Sequence, residues 1–210
     1  MPNITLSMDK KLIKKSREYA QKHGKSLNAL IRELLQNTVN ANVSANTLDE
    51  LLNMMDKAEG NSKGKKWSRK DIYDRKVFVD TNILVYSQDN NFPKKKVQSR
   101  EIILKLLTEN SGVLSTQVFQ EFYYASVQKL HSDPNSVKSL LKLFEKFEVI
   151  QISTALIYEA IDCRITNTIS FWDALIVAAA GSANCSKIYS EDLNNGQMIK
   201  GIEIVNPFTV

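Results

Sequence analysis

Several residue types and patterns are scarce in this chain of 210 residues. It has two cysteines and two histidines, and its longest uninterrupted apolar run, residues 174–180, is far shorter than the roughly 20 residues that a membrane-spanning helix needs. Residues 1–15 also lack the apolar segment of a secretory signal peptide. We therefore expect a cytoplasmic protein without a membrane partner.

The scarce residues also limit the chemistry that the chain performs. Cys163 and Cys185 have neither a CxxC motif nor the spacing of zinc ligands, so two free, packed thiols in a reducing compartment are predicted. His23 and His131 lie outside every segment with other catalytic features. A glycine-rich phosphate-binding loop and a Gly-x-Ser-x-Gly sequence are both missing. P-loop and serine-hydrolase chemistry thus find little support.

The composition itself is that of a globular protein with an uneven charge. Hydrophobic residues make up 43% and charged residues 24%, so a buried core is expected and wholesale disorder is excluded. The net charge is +5, and its positive excess lies in residues 1–75, which hold 15 Lys and Arg against 9 Asp and Glu. Residues 76–210 hold 13 against 14. This pattern indicates two parts, of which the first approaches a polyanion.

The first part reads as a strand followed by two helices. Residues 3–8 alternate polar and apolar side chains, which predicts a strand with one core-facing side. Asp9 is placed to cap a basic helix that ends at Gly24, and Ser26 is placed to cap a second helix. About forty residues of this kind bury too little apolar surface to be stable alone, so we expect this part to dimerise.

Residues 43–75 are expected to connect the two parts. Thr47 and Glu50 are spaced as a capping box at the start of a short amphipathic helix. Residues 59–66 contain glycine, polar and charged residues without an apolar anchor, which is typical of a flexible linker.

The second part alternates strands and helices. Strands are predicted over residues 77–79, 113–115 and 149–152, near Ile188, and over 202–205. Helices are predicted over residues 97–107, 117–130 and 134–147, and from Ser153 and Phe171 onward. This rhythm predicts the α/β class, with a central parallel sheet flanked by helices.

Four carboxylates occupy positions of interest in such a fold. Asp80 ends the first strand and Asp192 follows the strand near residue 188, and the carboxyl ends of parallel strands are where ligands bind. Glu121 lies on the flank of an apolar helix stripe, where a carboxylate is costly unless it is paired. Asp173 is the only charge in a helix that is apolar on all sides and therefore buried. Glu191 is expected to face away from this group.

Three of these positions also have a simpler explanation. Asp80 and Asp192 would be turn residues, and Asp173 would cap its helix together with Ser170. However, three or four carboxylates at one sheet edge cannot all stay ionised without a compensating cation. Hard oxygen ligands select Mg²⁺ or Mn²⁺, which activate water and stabilise charge on a phosphodiester. If three or four of these carboxylates meet at one sheet edge, they therefore predict a divalent-metal site, and the simpler explanations stay open.

With these residues identified, residues 76–210 resemble a PIN domain, specifically a VapC-type ribonuclease toxin of prokaryotic toxin–antitoxin pairs. The matching motifs are Val79-Asp-Thr-Asn-Ile-Leu84, the helix with Glu121, Ser170-Phe-Trp-Asp-Ala-Leu-Ile176, Ser190-Glu-Asp-Leu-Asn-Asn-Gly-Gln197 and Ile204-Val-Asn-Pro-Phe208. The resemblance implies an acidic metal site at the four carboxylates, supported by Thr81, Asn82 and Ser190. It also implies Mg²⁺-dependent endonucleolytic cleavage of an RNA substrate.

Residues 1 to about 40 resemble a ribbon-helix-helix DNA-binding domain of the VapB antitoxin type. In that family two strands pair across a dimer and enter the major groove of operator DNA. The resemblance implies that Asn3, Thr5 and Ser7 read bases, while Lys25 and Ser26 hold phosphate. A generic dimerising pair of helices is the alternative.

Residues 65–75 resemble the toxin-binding arm of such antitoxins. The resemblance implies hydrophobic anchors at Trp67, Ile72 and Tyr73, with Arg69 or Arg75 reaching the carboxylates. A solvated basic linker is the alternative.

The combined prediction is a self-inhibited fusion of antitoxin and toxin. Residues 1–42 would be the DNA-binding and dimerisation domain, residues 43–75 the helix, linker and arm, and residues 76–210 the PIN nuclease. Both ends would contribute to a homodimer or a higher homo-oligomer. The competing hypothesis is a DNA-binding repressor whose PIN half is catalytically silent and serves oligomerisation.

Overall fold

The computed structural model describes residues 9–22, 24–32, 35 and 76–209. Helix α1 (Lys10–Lys22) begins after Asp9, whose Oδ1 accepts hydrogen bonds from two backbone N–H groups of the first turn at 2.8 Å. Gly24 follows the helix with a φ of +66°, a conformation that glycine adopts without strain. Residues 27–32 belong to a second helix, α2, whose Ala29 N–H donates to Ser26 Oγ at 3.2 Å. The predicted caps at Asp9 and Ser26 are confirmed.

Several predicted features lie outside the described residues. They are the strand over residues 3–8 with Asn3, Thr5 and Ser7, and the arm residues Trp67, Arg69, Ile72, Tyr73 and Arg75 together with the rest of residues 43–75.

The described part beyond residue 76 is built on a six-stranded sheet with the strand order β3-β2-β1-β4-β6-β5. The strands are β1 (Val77–Val79), β2 (Gly112–Ser115), β3 (Glu148–Ile150), β4 (Lys187–Tyr189), β5 (Met198–Ile199) and β6 (Ile202–Val205). Their pairings are parallel except for β5, which runs antiparallel to β6 at the edge. The α/β class with a central, mostly parallel sheet is therefore as predicted.

Edge strand β5 was not predicted because two residues are too short to show a period. It is joined to β6 by a tight turn in which Lys200 and Gly201 have φ values of 50° and 81°. Positive φ at both central residues is the geometry of the two-residue hairpin turn that matches strand twist.

Helices flank the sheet on the connections between strands. They are α3 (Thr81–Tyr86), α4 (Pro93–Glu109), α5 (Thr116–Gln128), α6 (Pro134–Phe144), α7 (Thr154–Thr166) and α8 (Phe171–Ser182). Side chains of Ser115, Asp133, Ser153 and Ser170 accept a backbone hydrogen bond at the start of α5 to α8. Helix α3 was not predicted, and α4 begins earlier than expected, with Pro93 in its first turn.

The core lies between the sheet and these helices. All three residues of β1 are buried, and so is α8 along residues 174–180, as its apolar sequence predicted. Phe122 and Phe144 are both buried and pack edge to face with ring centroids 5.3 Å apart. Burial of side chains of this size contributes about 2–3 kcal/mol each.

Both cysteines are free and buried, as predicted. Burial raises the pKa of the Cys185 thiol to about 12, against a smaller opposing effect of Lys76. A thiol in such surroundings is a packing group, since the reactive species is the thiolate. Among the helices of the described residues, none combines the length and the apolar character that crossing a bilayer requires.

We expect Gly112→Ala to destabilise the protein by about 1–3 kcal/mol. A Cβ at Gly112 would lie 2.1 Å from Cε1 of Phe147, whose ring is buried and has little room to move. The matched control is Gly181→Ala in α8, where an added Cβ meets nothing within 4 Å and alanine favours the helix. Urea unfolding of the two variants checks this, and equal stabilities would contradict it.

Candidate active site

The position of the site follows from the strand order. The chain leaves β1 towards β2 and β3 on one side and returns to β4 on the other, so β1 and β4 flank a topological switch point. In open α/β sheets, ligands bind outside the carboxyl ends of strands at such a point. Val79 pairs with Tyr189, and the backbone N–H of Asp80 donates to the Tyr189 carbonyl at 3.0 Å. Asp80 and Ser190 therefore leave neighbouring strands side by side.

Asp80 is held by three hydrogen bonds. Its Oδ1 accepts from the Thr81 backbone N–H at 2.6 Å, which makes Asp80 the N-cap of α3. Its Oδ2 accepts from Ser190 Oγ at 2.6 Å and from Asn82 Nδ2 at 3.0 Å. The residue is 4% exposed. The carboxylate thus has one fixed orientation, and the predicted turn role and the site position coincide in one residue.

Asp192 shares two hydrogen-bond partners with Asp80, namely Asn82 and Ser190. Asn82 Nδ2 donates to Asp192 Oδ2 at 3.2 Å as well as to Asp80. The backbone N–H of Asp192 donates to Ser190 Oγ at 3.1 Å. Asp192 is exposed whereas Asp80 is buried. The pair therefore has one member fixed in the interior and one accessible from solvent.

Glu121 enters the same network from helix α5. Its Oε2 accepts a hydrogen bond from Thr81 Oγ1 at 2.7 Å, and its Oε1 accepts from Gln117 Nε2 at 2.9 Å. Gln117 Nε2 also lies 3.3 Å from the backbone carbonyl of Trp172, the residue before Asp173. Glu121 is therefore paired, as the sequence predicted, and its partners are the neutral donors of Thr81 and Gln117.

Asp173 is less closely connected. It lies half-buried in the first turn of α8, and its backbone N–H donates to Ser170 Oγ at 3.1 Å. In the described part of the chain, no hydrogen bond joins its carboxylate to the other three carboxylates. The link is indirect, through Gln117. Asp80, Glu121 and Asp192 therefore form one network, and Asp173 stands beside it.

The electrostatics of the network centre on Asp80. Burial raises the pKa of its carboxyl from the ordinary 3.8 to about 7, and the negative charges of Asp192 and Glu121 act in the same direction. Hydrogen bonds from Ser190 and from the Thr81 backbone oppose the rise. Such a shifted carboxyl at a switch point is a functional-site candidate.

The donor chemistry fits a hard divalent cation. Besides the carboxylates, Asn82 Oδ1 and Gln117 Oε1 are buried oxygens without a hydrogen-bond partner among the described residues. In the part of the chain that the structure describes, no three Asp, Glu, His or Cys side chains converge closely enough to hold a metal ion. Oxygens of Asp80 and Glu121 instead accept hydrogen bonds from Thr81 and other neighbours. The oxygen donors that suit such a cation are present, but among the described residues they do not converge on one point.

Two further residues near the site were missed by the sequence reasoning. Gln117 lies one turn before Glu121 on the same helix face, and that spacing was a usable signal. Lys95 forms an ion pair with Glu191, which does face away from the carboxylate network. Partial burial alone would raise the pKa of Glu191, but the hydrogen bond from Lys95 lowers it below its ordinary value. Nothing in the sequence pointed to this pair.

The DNA-binding residues predicted in the first part are only partly described. Lys25 and Ser26 are exposed at the start of α2, and Ser26 Oγ serves as the helix cap. Asn3, Thr5 and Ser7 lie outside the described residues.

Comparison with known protein families follows the division of the chain. The PIN domain model matches residues 77–196, which is more than half of the chain. The chain belongs to the PIN domain family. A second model, described as a family of unknown function (DUF6364), matches residues 3–77, directly before the PIN domain. No curated protein matches the chain.

Solved structures similar to this PIN protein include toxin–antitoxin proteins. A toxin-antitoxin complex from Klebsiella pneumoniae is 18% identical with a TM-score of 0.47, covering 64% of this chain and 99% of that chain. DNA-bound VapBC from Salmonella typhimurium is 20% identical with a TM-score of 0.47, covering 61% and 96%. VapC20 from Mycobacterium tuberculosis, titled a sarcin-ricin loop cleaving toxin, is 15% identical with a TM-score of 0.41, covering 54% and 88%. At these identities the likeness concerns the fold alone.

We expect Asp80→Asn to stabilise the metal-free protein, and to do so more at pH 8 than at pH 5. The Asp80 carboxyl keeps its proton up to about pH 7 in the folded protein, whereas it would lose it near the ordinary pKa of 3.8 in the unfolded chain. The protonated carboxyl therefore favours folding fully below about pH 4, and this stabilisation is lost as the pH rises through about 7. The gain at pH 8 should exceed that at pH 5 by up to about 3 kcal/mol. Urea unfolding in EDTA measures it.

The control for this prediction is Asp162→Asn, which changes an exposed carboxylate on α7. It should leave the free energy of unfolding nearly unchanged at both pH values. An effect of Asp80→Asn that is the same at pH 5 and pH 8 would contradict the raised pKa.

Proposed function

We propose that the chain is a Mg²⁺- or Mn²⁺-dependent endoribonuclease toxin joined to its own antitoxin. The observation that carries this proposal is the network at the switch point, where buried Asp80 shares hydrogen-bond partners with Asp192 and Glu121. Membership of the PIN family supports nuclease chemistry. Toxin–antitoxin proteins among the similar structures agree with the toxin assignment.

In this mechanism the cation would be held by Asp80, Glu121, Asp173 and Asp192. When bound, it supplies an activated water and stabilises negative charge on the phosphodiester. The contribution of Thr81, Asn82 and Ser190 is orientation, because their donors fix the ligand carboxylates before substrate arrives. Burial of Asp80 also keeps bulk water away from that side of the site.

The second part of the proposal is inhibition by residues 65–75. Arg69 or Arg75 would pair with the carboxylates, which lack a cationic partner within the described residues. Lys76 continues directly into β1, whereas Asp80 lies at the other end of that strand, about 13 Å away for four residues at ~3.3 Å each. The arm must therefore fold back over the sheet edge or cover the site of a second copy. We favour inhibition in trans.

We expect residues 76–210 to cleave RNA with Mg²⁺ and the full chain to cleave it more slowly. Asp80→Asn should reduce cleavage by more than about 100-fold, since even outer-shell partners of a metal are worth about 10–100-fold. Replacing Arg69 and Arg75 by alanine in the full chain should raise its activity towards that of the fragment. Gel analysis of a labelled RNA substrate measures all four proteins.

The control is Asp162→Asn in the fragment, which should cleave at the parent rate. Inhibition that persists unchanged in dilute monomer would exclude inhibition in trans. A folded fragment that is inert with Mg²⁺ and with Mn²⁺ would favour the competing function, a DNA-binding repressor with a silent PIN half.

Association with a second copy is supported by the surface of α7. Tyr158, Ile161 and Ile165 lie at positions i, i+3 and i+7 of this helix and are 68%, 41% and 76% exposed. An apolar stripe at this spacing is normally covered. It is the surface that we assign to the homodimer contact of the PIN part.

Operator-DNA binding is proposed for residues 1–42. Helix α1 carries six Lys and Arg residues, and Lys25 is exposed at the start of α2. We expect the affinity of the full chain for DNA upstream of its own gene to fall by about 10³-fold or more between 50 and 200 mM salt. Lys25→Ala should reduce the salt slope by about one. Fluorescence anisotropy at several salt concentrations measures this.

The control is Lys187→Ala in strand β4, which should leave the slope unchanged. An affinity for DNA that does not respond to salt would rule out phosphate binding by residues 1–42.

A further inference from the structure

Lys95 of helix α4 lies in a cage of aromatic rings beside the active site. Its Nζ contacts the carboxylate of Glu191 and lies 3.2 Å from the Tyr86 hydroxyl. The same Nζ is 4.3 Å from the ring centroid of Tyr86, 5.2 Å from that of Phe208 and 5.5 Å from that of Phe92. We call Lys95 with these three rings the Lys95 cage.

The Lys95 cage shields the ion pair between Lys95 and Glu191 from solvent. The Tyr86 ring packs edge to face on Phe92 and on Phe208, with centroids 5.5 Å and 5.3 Å apart. The Lys95 and Glu191 side chains are 25% and 28% exposed. Cation–π contacts and partial loss of water make such a pair stronger than an exposed one.

A second ion pair offers a direct comparison. Lys187 and Glu203 pair at 3.0 Å with both side chains 43% exposed, and Lys187 begins strand β4, at the end away from the carboxylates. The two pairs thus share their chemistry and differ in shielding and in position.

The Lys95 cage is linked to the carboxylate network through Glu191, which lies between Ser190 and Asp192 in the chain. Glu191 immediately precedes Asp192, and Leu193 immediately after it is buried. Ser190, one residue earlier, is buried and bonded to Asp80. The backbone around Asp192 is therefore anchored at three nearby residues, two before it and one after it, of which Glu191 is the one anchored by charge.

Asp192 depends on these anchors because little else holds it. Within the described residues its exposed carboxylate accepts one hydrogen bond, from Asn82 at 3.2 Å. Asn82 lies in helix α3, and Tyr86 of the cage ends that same helix. One caged ion pair thus ties α3, α4 and the segment of Asp192 together at the edge where the carboxylates meet.

We propose that Lys95 is a positioning residue of the active site, which through Glu191 holds Asp192 where it binds the same divalent cation as Asp80. This inference rests on the proposed metal-dependent function and deepens it. Neither Lys95 nor Glu191 would contact the cation itself. Their role is to keep an exposed ligand from turning into solvent, as outer-shell partners do for other metal ligands.

Titration with Mn²⁺, followed by the electron paramagnetic resonance of the free ion, tests the inference. All variants are made in the full chain, both unchanged and with Arg69 and Arg75 replaced by alanine, so that the inhibitory arm does not hide metal binding. Lys95→Met keeps an apolar stem inside the cage and removes the charge, and Glu191→Gln removes the other charge. Each should weaken Mn²⁺ binding by about 10-fold.

Two further variants separate positioning from folding. Lys95→Arg should bind Mn²⁺ within about threefold of the parent, because a guanidinium stacks on aromatic rings and pairs with a carboxylate. Lys187→Met removes the comparison ion pair and should leave binding unchanged. The Lys95→Met and Glu191→Gln double variant should be no weaker than either single one, since both remove the same interaction.

The outcomes distinguish the inference from the function on which it rests. If Lys95→Met lowers the melting temperature but binds Mn²⁺ like the parent, the cage is only structural and the inference is wrong. If the parent loses Mn²⁺ binding on Asp80→Asn while the Lys95 and Glu191 variants bind normally, the inference fails and the metal site stands. If the parent binds no Mn²⁺ in either background, the proposed metal-dependent function fails and the inference fails with it.

Discussion

The hydrogen bond from Ser190 Oγ to Asp80 Oδ2, 2.6 Å long, is the contact on which the arrangement of the site depends. It forms because β1 and β4 are parallel neighbours in a register that pairs Val79 with Tyr189. Both residues are buried, so water does not compete for this bond. The same Ser190 hydroxyl accepts a hydrogen bond from the backbone N–H of Asp192, so one hydroxyl contacts the Asp80 carboxylate and the backbone of Asp192.

The buried position of Asp80 is unfavourable for an ionised carboxylate, although the hydrogen bond from Ser190 favours ionisation. Burial raises the pKa of Asp80, and the nearby acids oppose its ionisation as well. The surrounding core offsets that cost through buried β1 and the fully apolar stretch of α8. A stable scaffold that holds a destabilised polar group is a common property of functional sites, because the arrangement that suits a ligand is not the one that suits the empty protein.

Local rules of the sequence predicted much of this fold. The helix caps at Asp9, Ser26 and Ser170, the buried strand β1 and the buried helix α8 depend on neighbours a few residues away, so they could be read directly. Helix α3 could not, since its six residues are rich in types with modest helix propensity; in the structure Asp80 caps its first turn. Strand β5 is too short for any periodic signal.

The sequence by itself determined the α/β class and the two-part charge pattern, and it singled out four carboxylates as candidates. Only the tertiary structure decided how they are arranged: Thr81 binds Glu121 forty positions away, Ser190 binds Asp80 across 110 positions, and Gln117 binds the carbonyl of Trp172, next to Asp173. It also decided that Glu191 pairs with Lys95, 96 positions earlier, while its neighbour Asp192 faces the carboxylates. The reason is physical: caps and periodicities act within one or two turns of chain, whereas these contacts exist only once strand register and helix packing have brought distant segments together.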